Sequence, residues 1–122
     1  MHGVEGHGIR VDSFHVDGIV VVMVEGDVDV DTADTLRRTL DEIGSDQHVV
    51  VDCSGVAFMD SKGLDVLLVQ SKRMGHSGGW LHVRHASPPV LRIAEIASLG
   101  KLVEPEAADP SRTSSWIPPD SI

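Results

Sequence analysis

Hydrophobic positions in this chain fall into short β-branched blocks, separated by segments whose apolar residues recur every three or four positions. Ile9 to Phe14 reads as a first short strand, with Ile9 and Val11 on one face. His15-Val16-Asp17-Gly18 reads as a turn, because Asp-Gly suits the positive φ angles of a tight hairpin. Ile19-Val20-Val21-Val22-Met23-Val24 is apolar throughout, which predicts a central strand covered on both faces. Glu25 to Asp31 reads as an acidic loop. A helix is expected over 32–43, with Ala33, Leu36, Leu40 and Ile43 on one stripe. Asp31 is its expected N-cap, Asp34 sits in the dipole-favoured first turn, and Gly44 follows its end.

The same alternation continues. His48-Val49-Val50-Val51-Asp52 predicts another buried strand, and Cys53 to Met59 a loop. A second helix is expected from Ser61 to Met74, with Leu64, Leu67, Leu68, Ser71 and Met74 inward, stopped by Gly75 and Gly78-Gly79. Trp80 to Arg84 predicts a strand, Pro88-Pro89 opens a third helix through Ala97, and Leu99 to Val103 ends the pattern as a short strand. This order predicts an α/β fold, with a mixed, mostly parallel sheet of four to five strands and three or more helices packed on it. Residues 1–8 read as a flexible N-terminus, 9–103 as one domain, and 104–122 as a Pro-rich irregular tail in which Trp116-Ile117 is the apolar pair.

Composition narrows the function. The 122 residues carry 10 Lys and Arg against 19 Asp and Glu, a formal net charge of −9. That charge argues against a nucleic-acid partner and against an anionic membrane surface. It leaves room for a basic protein partner. Aromatics are 3% with no Tyr, which disfavours base-stacking. The single Cys53 forms no intrachain disulfide, no apolar run is long enough to span a bilayer, and the first residues lack a signal-peptide pattern. A cytoplasmic location is the expectation.

Three chemical readings find little support. His82 and His85 lack the further convergent ligands of a zinc site, so no metal is expected, and one exposed and one partly buried histidine is the plain alternative. Cys53 at a strand exit has no secured base, and a small buried residue is the plain reading. Asp52 ends a Val-rich strand, where a response-regulator receiver would accept phosphate. The acidic pair for Mg²⁺ is not clearly present, and Lys101 does not follow the last strand as a receiver's Lys would.

Phe58-Met59-Asp60-Ser61-Lys62-Gly63-Leu64 is more informative. Ser61 lies where a loop becomes a helix, which makes it a cap or a first-turn residue with its hydroxyl near solvent. A phosphate there would add about −1.5 to −2 charges beside a helix N-terminus. Gly63 lowers helix propensity in the first turn. Close approach by another backbone, such as a partner's, would be one reason for it.

These residues resemble the STAS-domain anti-sigma factor antagonists. Gly26-Asp27-Val28-Asp29 with Thr32-Ala33 is similar to the segment before that family's first helix. Val49-Val50-Val51-Asp52 is similar to its next strand, and Asp60-Ser61-Lys62-Gly63-Leu64 to its phosphorylation motif, usually Asp-Ser-Ser/Thr-Gly-Leu. Gly78-Gly79, Ser87-Pro88-Pro89-Val90 and Leu99-Gly100-Lys101-Leu102 continue the match. The resemblance implies the STAS fold and a non-enzymatic protein without cofactor. It implies a partner, an anti-sigma factor with serine kinase activity, bound by the unphosphorylated form so that the sigma factor is freed. Ser61 would be the phosphoacceptor, and a PP2C-type phosphatase would reset it. Asp29, Asp31, Thr32, Asp60, Ser61, Lys62, Gly63, Leu64 and Asp65 would form the partner-binding surface. Lys62 replaces the usual second hydroxyl residue and Asp65 a common Gly, which motivates an alternative, a non-switching STAS interaction module of a larger signalling or transport assembly.

Overall fold

The Asp17-Gly18 turn joins β2 (Ile9–Val16) to β3 (Ile19–Val28). Asp17 has φ 49° and Gly18 φ 79°, the left-handed pair a two-residue hairpin requires. A computed structural model of the chain describes residues 2–6 and 8–96. Along it follow α1 (Ala33–Asp41), β4 (His48–Met59), α2 (Ser61–Gly75), β5 (Trp80–Arg84) and α3 (Pro88–Ile96). Ahead of the hairpin lies β1 (His2–Gly6). The five strands form one sheet in the order β1-β2-β3-β4-β5. β1–β2 and β2–β3 are antiparallel, whereas β3–β4 and β4–β5 are parallel.

The sheet is mixed, as the pattern predicts, and β1 adds a second antiparallel pairing to it. Residues 1–8 read as flexible because His2-Gly3-Val4-Glu5-Gly6 carries no hydrophobic period. The strand His2–Gly6 comes instead from pairing with β2, with Val4 and Val11 as register partners. The expected strand Leu99–Val103, Lys101, the end of the third helix at Ala97 and the tail 104–122 lie outside the described residues.

One face of the sheet carries the main core. Val11, Val22, Val49, Val51, Leu81 and Val83 are fully buried there against Leu36 and Leu40 of α1, Leu67 and Met74 of α2, and Val90 of α3. Each such side chain contributes about 1.5–3 kcal/mol of burial. β3 alternates, against expectation. Val20, Val22 and Val24 are buried, while Ile19, Val21 and Met23 on the other face are only half-buried. β4 does bury Val49, Val50 and Val51 in succession.

Both long strands outrun the predicted loops. β3 reaches Val28 and β4 reaches Met59, with register shifts between Met23 and Glu25 and between Gly26 and Asp27. Such irregularities break the two-residue alternation that marks a strand in sequence. At the bulge, Asp27 N–H donates to the Gly8 carbonyl at 2.8 Å.

α1 and α2 are joined by a polar clamp. Arg73 donates from Nη2 to the Leu40 and Ile43 carbonyls at 2.9 and 3.0 Å, satisfying acceptors at the C-terminal end of α1. Its Nε donates to Gln70 Oε1 at 2.9 Å, and buried Gln70 donates to Asp41 Oδ1 at 2.6 Å. The buried glutamine is thus satisfied on both amide atoms, and the spacing of the two helices is fixed.

Candidate functional site

Val28 and Met59 are register partners at the ends of two parallel strands. The residues that follow them therefore leave the sheet side by side, and Asp60 N–H ties the two exits by donating to the Val28 carbonyl at 3.1 Å. The Asp29–Thr32 turn and the Asp60–Asp65 helix start meet at this edge.

The first turn is built by its own side chains. Asp29 Oδ1 accepts from the N–H groups of Asp31 at 2.9 Å and Thr32 at 3.1 Å. Thr32 Oγ1 donates to the Asp27 carbonyl at 2.6 Å and accepts from Asp29 N–H at 2.9 Å. Asp31 was the expected N-cap of α1, but the capping position belongs to Thr32, which makes no side-chain cap bond of its own. Asp29 intercepts the local donors two and three residues on, the Asx-turn geometry that short carboxylates favour.

The second turn is a capped helix start. Asp60 is the N-cap of α2, its Oδ1 accepting from Lys62 N–H at 2.9 Å and Gly63 N–H at 3.2 Å. Ser61 is the first helical residue, exposed, and its hydroxyl has no partner among the described residues. Asp60 thus occupies two of the orphan donors of the helix end. Asp60→Ala should destabilise the domain by about 0.5–2 kcal/mol in chemical denaturation, because those two donors lose their acceptor.

Nine residues were expected to form the binding surface, and they divide by burial. Asp31, Ser61, Lys62 and Asp65 are exposed, and Asp29 and Asp60 are half-buried. Thr32, Gly63 and Leu64 point inward. Leu64 is 4% exposed and belongs to the core, and Thr32 is spent on the turn. These three hold the surface in place. Gly63 has a different cause from the partner approach expected of it. A Cβ there would stand 2.6 Å from Val28 Cγ1 and 3.0 Å from Met59 Cγ, so the close neighbours are the ends of β3 and β4.

Apolar exposure gathers near the same edge. Val30 and Phe58 are exposed large hydrophobics within a few residues of it, and Val69 stands two turns along α2. Phe58 opens the motif read from the sequence but is not among the nine expected surface residues, and Val30 and Val69 are not singled out there, because a lone Val in a turn or on a helix carries no signal.

The other chemical candidates sit elsewhere. His82 is buried and His85 exposed, so His82 is deeper than the partly buried residue expected. No group of three or more metal-ligating side chains converges among the described residues. Asp52 Oδ1 accepts from Ser54 N–H and Oγ at 2.9 and 2.7 Å. Burial, with the Asp52 charge beside it, pushes the Cys53 thiol up to about 12. Native protein at neutral pH should therefore resist iodoacetamide at Cys53 and react only as fast as it unfolds, as intact-mass kinetics with and without denaturant will show. On the exposed face of α1, hydrogen bonding to Arg37, with Arg38 nearby, holds the Asp34 carboxyl below its usual range.

The fold and this edge define a class of α/β domain that presents an exposed serine hydroxyl among carboxylates at the ends of parallel strands. The chain belongs to the STAS domain family. Residues 15–104 match the family described as "Mlab, STAS domain". The chain is 31% identical over 98 residues to an anti-sigma F factor antagonist of Paenibacillus polymyxa, covering 78% of this chain and 84% of the relative. Its structure is similar to that of an anti-sigma factor antagonist from Mycobacterium paratuberculosis, with TM-score 0.73, 28% identity, and 87% and 92% of the two chains covered. The fold alone is shared with the unphosphorylated form of SpoIIAA, with TM-score 0.65, 18% identity, and 88% and 98% covered. No helix among the described residues is long and apolar enough to cross a membrane.

Proposed function

We propose that this protein is an anti-sigma factor antagonist that works by partner switching. Unphosphorylated, it binds an anti-sigma factor that is also a serine kinase and so frees the sigma factor. Phosphate on Ser61 ends that binding, and a PP2C-type phosphatase removes it. The protein acts in the cytoplasm as ligand and substrate, and performs no catalysis itself.

One observation carries most of this reading. Ser61 is exposed at the first position of α2, its hydroxyl is unpartnered among the described residues, and Asp60 beside it occupies the neighbouring donors. A kinase thus meets an accessible nucleophile. The phosphate it leaves behind meets carboxylates, with two of the helix donors already taken by Asp60. The names of the relatives, among them an anti-sigma F factor antagonist, support the same partner class.

Lys62 favours a second reading. It is exposed beside Ser61 with no acidic partner among the described residues, and it would partly neutralise a phosphate there. A STAS module that binds constitutively, within a larger signalling or transport assembly, would tolerate that. The test is to titrate the purified anti-sigma kinase encoded in the same genome into the dephosphorylated and the enzymatically phosphorylated protein. Partner switching gives tight binding only to the first. Equal binding of both forms supports the constitutive module.

A further inference from the structure

We infer that the groove between α1 and α2 is a second contact for the same partner, seating an apolar side chain flanked by cationic ones. This rests on the anti-sigma partner proposed above. The groove encloses about 520 Å³, and its floor and walls include Val30, Ala33, Val66 and Val69. Val30 is 68% exposed and Val69 61% exposed, so two large apolar side chains face solvent across one cleft. Burying such a pair against an apolar anchor is favourable, and the helix-in-groove mode of recognition uses this arrangement.

The charges around the cleft decide what flanks the anchor. Both arginines of α1 are engaged within the helix, Arg37 on Asp34 and Asp41, and Arg38 on Asp34. Asp31 precedes α1 and Asp65 lines the groove, both exposed and without a cationic partner among the described residues. Lys62 and Arg37 line the groove with Asp34, Asp41 and Asp65, so its lining keeps an acidic excess, and the whole chain carries −9. A cationic segment is therefore the complementary one.

Two further facts place this cleft in the same interface. It begins at Lys62, directly beside Ser61, so one partner can span both. Its walls are preset by the Arg73–Gln70–Asp41 clamp, so little ordering remains to be done on binding.

The experiment measures the affinity of the full chain for the purified anti-sigma kinase of its own genome by calorimetry. Val69→Asp and Val30→Asp place a charge on opposite walls at exposed positions, and each should weaken binding about tenfold or more. Both should keep wild-type circular dichroism and thermal midpoint. Asp65→Lys should slow association, with the difference shrinking at high salt. The groove is ruled out as a contact if both valine variants bind within about twofold of wild type while phosphorylation of Ser61 still abolishes binding. That pattern leaves the partner assignment intact. Failure of unmodified wild type to bind the kinase overturns both.

Discussion

Gly26→Ala should lower the stability of the domain by about 2–5 kcal/mol, a large loss for a single methyl group. Gly26 has φ 98°, a conformation unfavourable for any residue with a Cβ. The space is also closed, since a Cβ there would stand 2.2 Å from the Gly8 carbonyl oxygen. That oxygen is not a flexible side-chain end. It belongs to the backbone and accepts from Asp27 N–H in the bond that holds the bulge. Relief therefore requires moving β2 away from β3, directly upstream of Val28 and the Asp29 turn. The denaturant midpoint should fall sharply with little change in the slope. A midpoint unchanged from wild type would mean that the bulge is not built as described.

Phosphate on Ser61 should weaken the complex with the anti-sigma kinase a few hundred-fold. About −1.5 to −2 charges would be added at a site already flanked by Asp60, with Asp29 and Asp31 in the adjoining turn. Two of the helix donors that would otherwise stabilise a phosphate, the Lys62 and Gly63 N–H groups, are engaged by Asp60. A desolvated, unpaired charge at an interface costs about 2–5 kcal/mol, and each 1.4 kcal/mol is tenfold. Ser61→Asp, with one charge fewer or nearly so, should show a smaller loss in the same direction. Lys62→Ala should deepen the effect of phosphate, because the cation next to Ser61 in the chain is removed. Titration calorimetry on the four forms separates these outcomes.

The hairpin, the helices and the strand starts were legible because their signals are local. Asp17-Gly18 has one favoured geometry, and Leu36, Leu40, Leu64 and Leu67 mark helical stripes that the core confirms. What escaped depended on contacts distant in sequence. β1 has no pattern of its own and exists through its ladder with β2. The ends of β3 and β4 lost their alternation to register shifts and read as loops. Gln70 and Arg73 look like ordinary polar helix residues until α1 supplies a carboxylate and two open carbonyls.

The site shows the same division. Asp60-Ser61 announces a helix start in the sequence alone, with Ser61 as cap or first-turn residue; the structure gives the cap to Asp60 and makes Ser61 the first helical residue. Gly63 and Leu64 belong to the same motif and Thr32 to the segment before α1, yet all three are buried, because a short motif mixes residues that build a surface with residues that present it. Val30 and Val69 carry no motif. Only the packing of α1 against α2 brings them to one cleft.

The central claim is that Ser61 is the switch, and one measurement addresses it most directly. The full chain is incubated with the anti-sigma kinase of its own genome and ATP, and the modified residue is located by peptide mass spectrometry. Partner switching predicts a single phosphate, on Ser61, absent from Ser61→Ala. A kinase that binds the chain yet leaves Ser61 unmodified after incubation with ATP, or phosphate carried by another residue, would contradict it.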